Sequence, residues 1–364
     1  MSINIQNKNI QKIYKGSQSI KKVYAGSVRV FPDAIGKFIE NCEALGGDAV
    51  AIRTLYDNID VDVRFKADIL LFPSVIDTGV VYGMDNMTGD LIPFIFSRAS
   101  EATLFNKDLN MQLVESDMPR VDYANYSKEA KILVEKENTN LAIYSNLYIN
   151  PPDAIVASGY TIESDTWLNK LSGISKSAVL AKINGTNYFY RSKITKLKDH
   201  RYAQSSFFRT EGYDPAIIGD NWYPTNGDTN FVFPQSLNAS YTKNSTTIDL
   251  GGGIYRHGYS NISTVNHDNS TVGFAKNTIS LNRKFYYSGL QIEMGSIITS
   301  YIPTKDVATT RSADILNINL LQNCRVYIKT TKEEKYLDKL AGVWNVQDDI
   351  TESDGILYLA VLNR

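Results

Sequence analysis

Tyr213, Asp214, Asp220, Asn221, Trp222 and Tyr223 crowd one stretch of the chain. Flat aromatic faces stack on the apolar side of a sugar ring, and carboxylates and amides bond its hydroxyls. Trp222-Tyr223-Pro224 lies between Gly219 and Gly227, in a predicted loop, where core packing is a poor reason for a large aromatic. A second group, Tyr255, His257 and Tyr259, alternates along a predicted strand and therefore shares one face. Both groups are candidate carbohydrate contacts. The structural alternative for each is packing against a neighbouring sheet or a subunit interface.

Other chemistry has less support. The three histidines, His200, His257 and His267, have no His or Cys partner at zinc-like spacing. Asp and Asn in the acidic loops are calcium-type ligands, so calcium is the one ion left open, without a repeated Asp-x-Asp pattern behind it. No nucleophile elbow, HExxH helix or phosphate loop occurs. A pair of carboxylates for glycoside cleavage depends on a separation that sequence does not show. The expectation is a protein that is not an enzyme.

Of the 364 residues, 43% are apolar and 21% charged, which suits a folded chain of two or three domains. Tyrosine is over-used, with 23 Tyr against 14 Phe and 3 Trp, and points to β structure with half-buried faces. The net charge of −1 hides an asymmetry. Lys8, Lys12, Lys15, Lys21, Lys22 and Arg29 give the first 32 residues +6, leaving about −7 for the rest. That arm lacks the basic density of a nucleic-acid surface, so no nucleic acid is expected. Cys42 and Cys324 read as buried free thiols. No run has the length of a membrane span, and MSINIQNKNIQK has no apolar signal core, so no membrane insertion is expected.

The elements that would position these residues fall into four blocks. Residues 1–32 contain a ten-residue repeat, Ile10-Gln-Lys-Ile-Tyr14-Lys-Gly16-Ser and Ile20-Lys-Lys-Val-Tyr24-Ala-Gly26-Ser, with a third degenerate unit at Val28. Each repeat reads as a short strand ending in a Gly-Ser turn. Two such units bury no core alone, so the arm lies on its own domain or on a partner. Residues 33–66 read as helical. Ile35, Phe38, Ile39, Cys42 and Leu45 form one apolar stripe between a cap at Asp33 and a stop at Gly46-Gly47, and a second helix runs from Asp48 through Tyr56. Residues 67–150 read as β-rich, completed by 313–364, with a hairpin around Asn106-Lys-Asp108 and a boundary at Pro151-Pro152. Residues 151–312 carry many short strands, among them Ala203–Arg209, Thr229–Phe233, Ile254–Tyr259 and Lys284–Glu293, separated by turn residues. That spacing predicts an antiparallel β-sandwich.

Two runs carry a resemblance. One is Ser97-Arg98-Ala99-Ser100 with Ala102-Thr103; the other is Gln291-Ile-Glu293-Met-Gly295-Ser-Ile-Ile-Thr299-Ser-Tyr301-Ile-Pro303-Thr, preceded by Gly251-Gly-Gly-Ile-Tyr255-Arg256. Together they resemble segments that bracket a carbohydrate-binding-module-like jelly roll in phage and prophage tail-fibre and other virion-surface proteins. The N-terminal repeat is similar to arms that open phage structural proteins. About half of the chain lies outside the resemblance. In this reading Arg98, Glu293, Gly295 and Pro303 are structural. Arg98 pairs with an internal acid, Asp122 or Glu135, and pins two segments together; the alternative is that its planar fork binds a carboxylate or phosphate ligand.

The resemblance implies a mainly β chain with a jelly roll inserted in or following a second β-rich domain. It further implies a structural virion protein of a tailed phage, a tail-fibre or baseplate component that binds host surface glycans. Its partners would be other virion proteins, met through residues 1–32, and copies of itself, trimers being common in such fibres, although no heptad stalk specifies one. Made in a bacterial cytoplasm, it would act in the virion. The rival readings are a capsid decoration or head fibre, a tail connector without a specific ligand, and a glycan depolymerase.

Overall fold

The computed structural model describes residues 13–15, 18–20, 23–25, 28–31, 34–124, 129–143, 145, 160–163, 180–183, 189–210, 245–251, 254–263, 266–275, 285–350 and 355–362. The chain is mainly β, built on antiparallel sheets, with three α-helices among the described residues. It divides into two compact units. The first holds residues 1–97, 315–349 and 354–364, and the second holds 98–314 and 350–353.

In the arm, Ile13–Lys15 pairs with Gln18–Ile20 and Val23–Ala25 with Val28–Phe31, both antiparallel. Lys15 stands opposite Gln18 and Ala25 opposite Val28; the expected Gly-Ser turns lie outside the described residues.

Three helices follow: α1 (Ala34–Glu43), α2 (Ala49–Asn58) and α3 (Val61–Lys66). Ile35, Phe38 and Cys42 of the apolar stripe are buried, whereas Leu45 lies past the helix end and is 48% exposed. The helix stops earlier than its stripe because Gly46 turns the chain at φ +84°, a conformation open to glycine. Asp48 caps α2 by accepting from the backbone N–H groups of Val50 and Ala51, and Asp60 caps α3 through Val63. The expected cap at Asp33 lies outside the described residues. The helices bury their stripe on the strand Ile69–Asp77, with the Phe38 and Phe72 rings 5.6 Å apart.

That strand is sandwiched between Val80–Asp85 and the tail strand Ile356–Leu362. Beyond Val80–Asp85 the sheet continues through Leu91–Ser97, Ile315–Leu320 and Gly342–Asn345. Beyond the tail strand it continues through Cys324–Thr330 and Glu334–Lys339. The tail thus returns to the strands that precede the middle of the chain. Ser97 and Ile315, the last and first residues of the unit around the intervening segment, are register partners.

The second unit begins at Arg98, not after the Pro151-Pro152 boundary, which lies outside the described residues. Residues 98–143 belong with the later strands because their hairpin, Ala102–Phe105 with Met111–Val114, contributes Phe105 and Met111 to the same core as Phe207, Leu250, Ile254 and Tyr301. A six-stranded antiparallel sheet runs in the order Tyr160–Glu163, Leu180–Ile183, Phe285–Met294, Arg201–Thr210, Ile254–Ile262, Ser245–Asp249. Phe189–Lys196 pairs separately with His267–Ala275, and Asn138–Asn140 with Thr309–Arg311. The expected strand Thr229–Phe233 is outside the described residues.

Gly289 shapes this sheet. Between the pairs Ser205↔Gln291 and Phe207↔Ser288 one strand carries an extra residue, a β-bulge. Gly289 sits there at φ +67°, and a Cβ on it would meet the Phe207 ring at 2.5 Å. A glycine is therefore needed both for the backbone turn and for the ring.

Candidate ligand-binding site

Three arginines and two carboxylates form a closed framework inside the second unit. Arg98, Arg120, Arg311, Glu135 and Asp314 have exposures of 2% or less. Arg98 pairs with Asp314 at 3.1 Å, and its remaining donors meet the carbonyls of Ser100, Glu115 and Met118. The expected partners, Asp122 and Glu135, are otherwise engaged. Asp122 faces Lys131 at 3.5 Å and accepts from the backbone of Phe105 and Ala124. Glu135 accepts from Arg120 at 2.8 Å and from both the backbone and hydroxyl of Ser300. Arg120 also bonds Asp314 and the Thr103 carbonyl. Arg98 thus pairs with Asp314 and not with Asp122 or Glu135.

Burial alone would push the Glu135 carboxyl up, but the guanidinium groups of Arg311 and Arg120 overturn that and hold it at about 2. A carboxylate held so low is no proton donor near neutral pH. Glu293 behaves oppositely. Burial pushes it up, although it accepts from the Thr299 backbone N–H and hydroxyl.

The run Gln291 to Thr304 braces the same region. Gln291 accepts from Ile302 N–H at 2.6 Å, the Tyr301 hydroxyl meets Ser145 at 2.7 Å, and the Thr103 hydroxyl donates to the Tyr301 carbonyl. Gly295, at φ +141°, ends the strand that carries Glu293. Pro303 follows in a segment without strand pairing among the described residues. These residues, expected to be structural, sit within the brace.

Two hollows border the framework. The smaller, about 60 Å³, is lined by Asp122, Lys131, Glu135, Arg256 and Ser300. That is room for roughly two waters. Arg256 is 6% exposed, donates to Ser205 at 3.1 Å, and its Nε has no hydrogen-bond partner among the described residues. Two carboxylates line this space, yet each is committed to a cation and to N–H donors, which is not the arrangement of a paired general acid and base. The larger hollow, about 240 Å³, is lined by Ser100, Glu101, Leu113, Pro303, Thr309 and Arg311, among others. It presents hydroxyls, the exposed carboxylate-bearing residue Glu101 and apolar surface, the mixture that polyol ligands need, whereas Arg311 is 1% exposed and bonds the carbonyls of Ser312 and Lys136.

Of the residues singled out from sequence, Tyr213, Asp214, Asp220, Asn221, Trp222 and Tyr223 lie outside the described residues. Tyr255, His257 and Tyr259 fall on the strand Ile254–Ile262, at alternate positions to the buried Ile254, Arg256, Gly258 and Ser260. Tyr255 is half-buried. Tyr255 is not among the described residues that line the larger hollow. Sequence reasoning missed Arg120, Lys131, Arg256, Arg311 and Asp314 as site neighbours. The available signal was Arg311-Ser-Ala-Asp314, whose i, i+3 pair has its charges 3.8 Å apart.

Among the described residues no group of His, Cys, Asp or Glu is arranged to hold a metal ion, and no helix is long and apolar enough to cross a membrane. Fold and site together define a mainly β protein with two antiparallel units and a polar hollow beside a buried ionic framework. No protein-family model matches the chain, and no curated protein matches it.

Proposed function

We propose that this chain is a non-enzymatic surface protein of a tailed-phage particle, a tail-fibre or baseplate component that binds host glycans through its second unit. The observation that carries the reading is the larger hollow, in which Arg311, Glu101, Ser100 and Thr309 stand beside Leu113 and Pro303. Donors, acceptors and apolar surface converge there without a nucleophile–base pair. Of the residues that carry the resemblance to virion-surface jelly rolls, Ser100, Ala102, Tyr301 and Pro303 line it.

Assembly through the first unit fits the same reading. Leu321, Leu340 and Val343 are 90%, 79% and 74% exposed near one end of the sheet, where Leu320 opposes Gly342 and Asn319 opposes Val343. Exposed apolar side chains grouped this way suit a neighbour in a particle. The arm of residues 1–32, with its two small hairpins, is the second proposed contact with other virion proteins.

The test is adsorption of the labelled full chain to cells and envelope fractions of candidate host bacteria. Saturable binding, lost when surface polysaccharide is stripped, supports the reading. Absence of binding to every host fraction removes it. Release of reducing sugar from the polysaccharide by pure protein would establish the depolymerase reading instead.

A further inference from the structure

We propose that one side of the strands Leu91–Ser97, Ile315–Leu320 and Gly342–Asn345, the side on which the helices lie, is the seat of a second copy of this chain, the two copies packing sheet against sheet about a twofold axis. The proposal deepens the assembly contact proposed above by naming the neighbour, and it rests on that part of the reading alone.

The sheet of the first unit has a helical layer over only part of this side. The helices share a core with Leu70, Phe72 and Met84, and Tyr82 and Leu91 pack against it. Alternate residues of a strand share a side, so Pro93 and Ile95 continue from Leu91 on the side of the helices. Pro93 is exposed and Ile95 is 55% exposed, so the cover ends there. Register carries the same side outward. Ile95 opposes Asn317, Asn317 opposes Asn345, and Asn319 opposes Val343. The intervening residues Phe94, Phe96, Leu316, Ile318 and Trp344 face the other way and are buried. A sheet with one side buried and the other bare lacks a layer, and a packed sheet is one way to supply it.

Charge selects the occupant. None of the three strands contains a charged residue, in a chain that is 21% charged. The strand Glu334–Lys339 of the same sheet carries Glu334, Lys335, Asp338 and Lys339, so the gap is local. A partner of either net sign finds no counter-charge on this side. Against its own copy a charged face meets like with like and is repelled, whereas a neutral face is not. Exposed Ile95, Ile315 and Val343 bring apolar contact. Exposed Asn319 brings an amide, which both donates and accepts and so matches the same group in a copy. At ordinary strand dimensions the three strands span roughly 20 Å by 14 Å. That is short of the roughly 800 Å² per partner of a standard interface, so the dimer is expected to be weak in solution and favoured where copies are held close in a particle.

The experiment is sedimentation equilibrium of the full chain across the micromolar range. The expected result is a reversible equilibrium between monomer and dimer. Val343→Lys and Val343→Glu, at a position 74% exposed, should each keep the melting temperature of the dilute wild type and weaken the dimer about tenfold or more. Mixed in equal amounts, the two variants should recover a dimer of one chain of each, because the faces then carry opposite charge. Ile95→Lys, on another strand of the same face, should weaken the dimer as well, and it decides the matter if the changes at Val343 lower the melting temperature. A chain that stays monomeric at the highest concentration overturns the proposal. So does a dimer that all three variants retain, since its contact then lies elsewhere in the chain. Monomers that adsorb to host cells sink this inference alone; dimers that adsorb to no host fraction sink the glycan reading and leave this one standing.

Discussion

Arg98 and Asp314 are 216 residues apart in sequence and meet at 3.1 Å with both side chains sealed from solvent. They are also the first and last residues of the main segment of the second unit. The chain leaves one antiparallel sheet at Ser97 and re-enters it at Ile315, its register partner, and the next residue on each side is clasped to the other. A long insertion is thereby closed at its own neck.

Removing one partner of this clasp should cost much more than removing both. Asp314→Asn leaves Arg98 and Arg120 facing a neutral amide, and a loss of about 3–5 kcal/mol is expected. Arg98→Met with Asp314→Asn should recover part of it. Urea unfolding of the full chain measures both. A single substitution within about 0.5 kcal/mol of wild type would show that the pair contributes nothing.

Acid should weaken the second unit through Glu135. Its carboxyl lies at about 2 in the folded chain against 4.5 as a free group. A lowered folded value means stability present above 4.5 and lost as pH falls towards 2, on the order of 3 kcal/mol in all. Glu135→Gln should be less stable at neutral pH and should flatten the decline between pH 4.5 and 2. Glu293 has the opposite sign. Burial raises it, so its contribution is greatest at low pH and fades as pH rises. Glu293→Gln should therefore cost less at pH 7 than at pH 4. Equal slopes for wild type and Glu135→Gln would contradict the assignment.

Gly289→Ala should destabilise by about 2–4 kcal/mol, since alanine must accept φ +67° and displace the Phe207 ring. Pairing it with Phe207→Leu should relieve the ring conflict and leave the smaller backbone cost. If the double variant is no better than the sum of the singles, the ring is not the obstacle.

Deleting residues 1–32 should leave the melting temperature of the remainder unchanged, because the arm's strands pair only with each other among the described residues. The truncated chain should fail to enter particles. Normal incorporation would remove the docking role.

The elements were legible where local pattern decides them. The stripe Ile35, Phe38 and Cys42 gave α1, and the turn residues Asn106-Lys107-Asp108 gave the hairpin, with the Asn106 side chain accepting from the Asp108 and Asn110 backbones. The tail strand at Ile356–Leu362 was visible as an apolar run. What sequence concealed is long-range. Phe105 and Met111 look like any β-hairpin residues, and nothing local says that they share a core with Phe207 and Tyr301. Arg120, Arg311 and Asp314 are ordinary surface-type residues until chain closure buries them together. Arg98 was singled out, but its partner could not be chosen among scattered acids, because ion pairing depends on distance rather than on sequence order.

The central claim, a particle-borne protein that holds the host surface, is tested most directly by competition. Particles carrying this chain are mixed with their host in rising concentrations of the purified full-length protein, and attached particles are counted. Attachment is expected to fall with dose and to be restored when the competitor is Leu113→Trp, which fills the larger hollow. Unchanged attachment at saturating competitor, in particles shown to contain the chain, would contradict it.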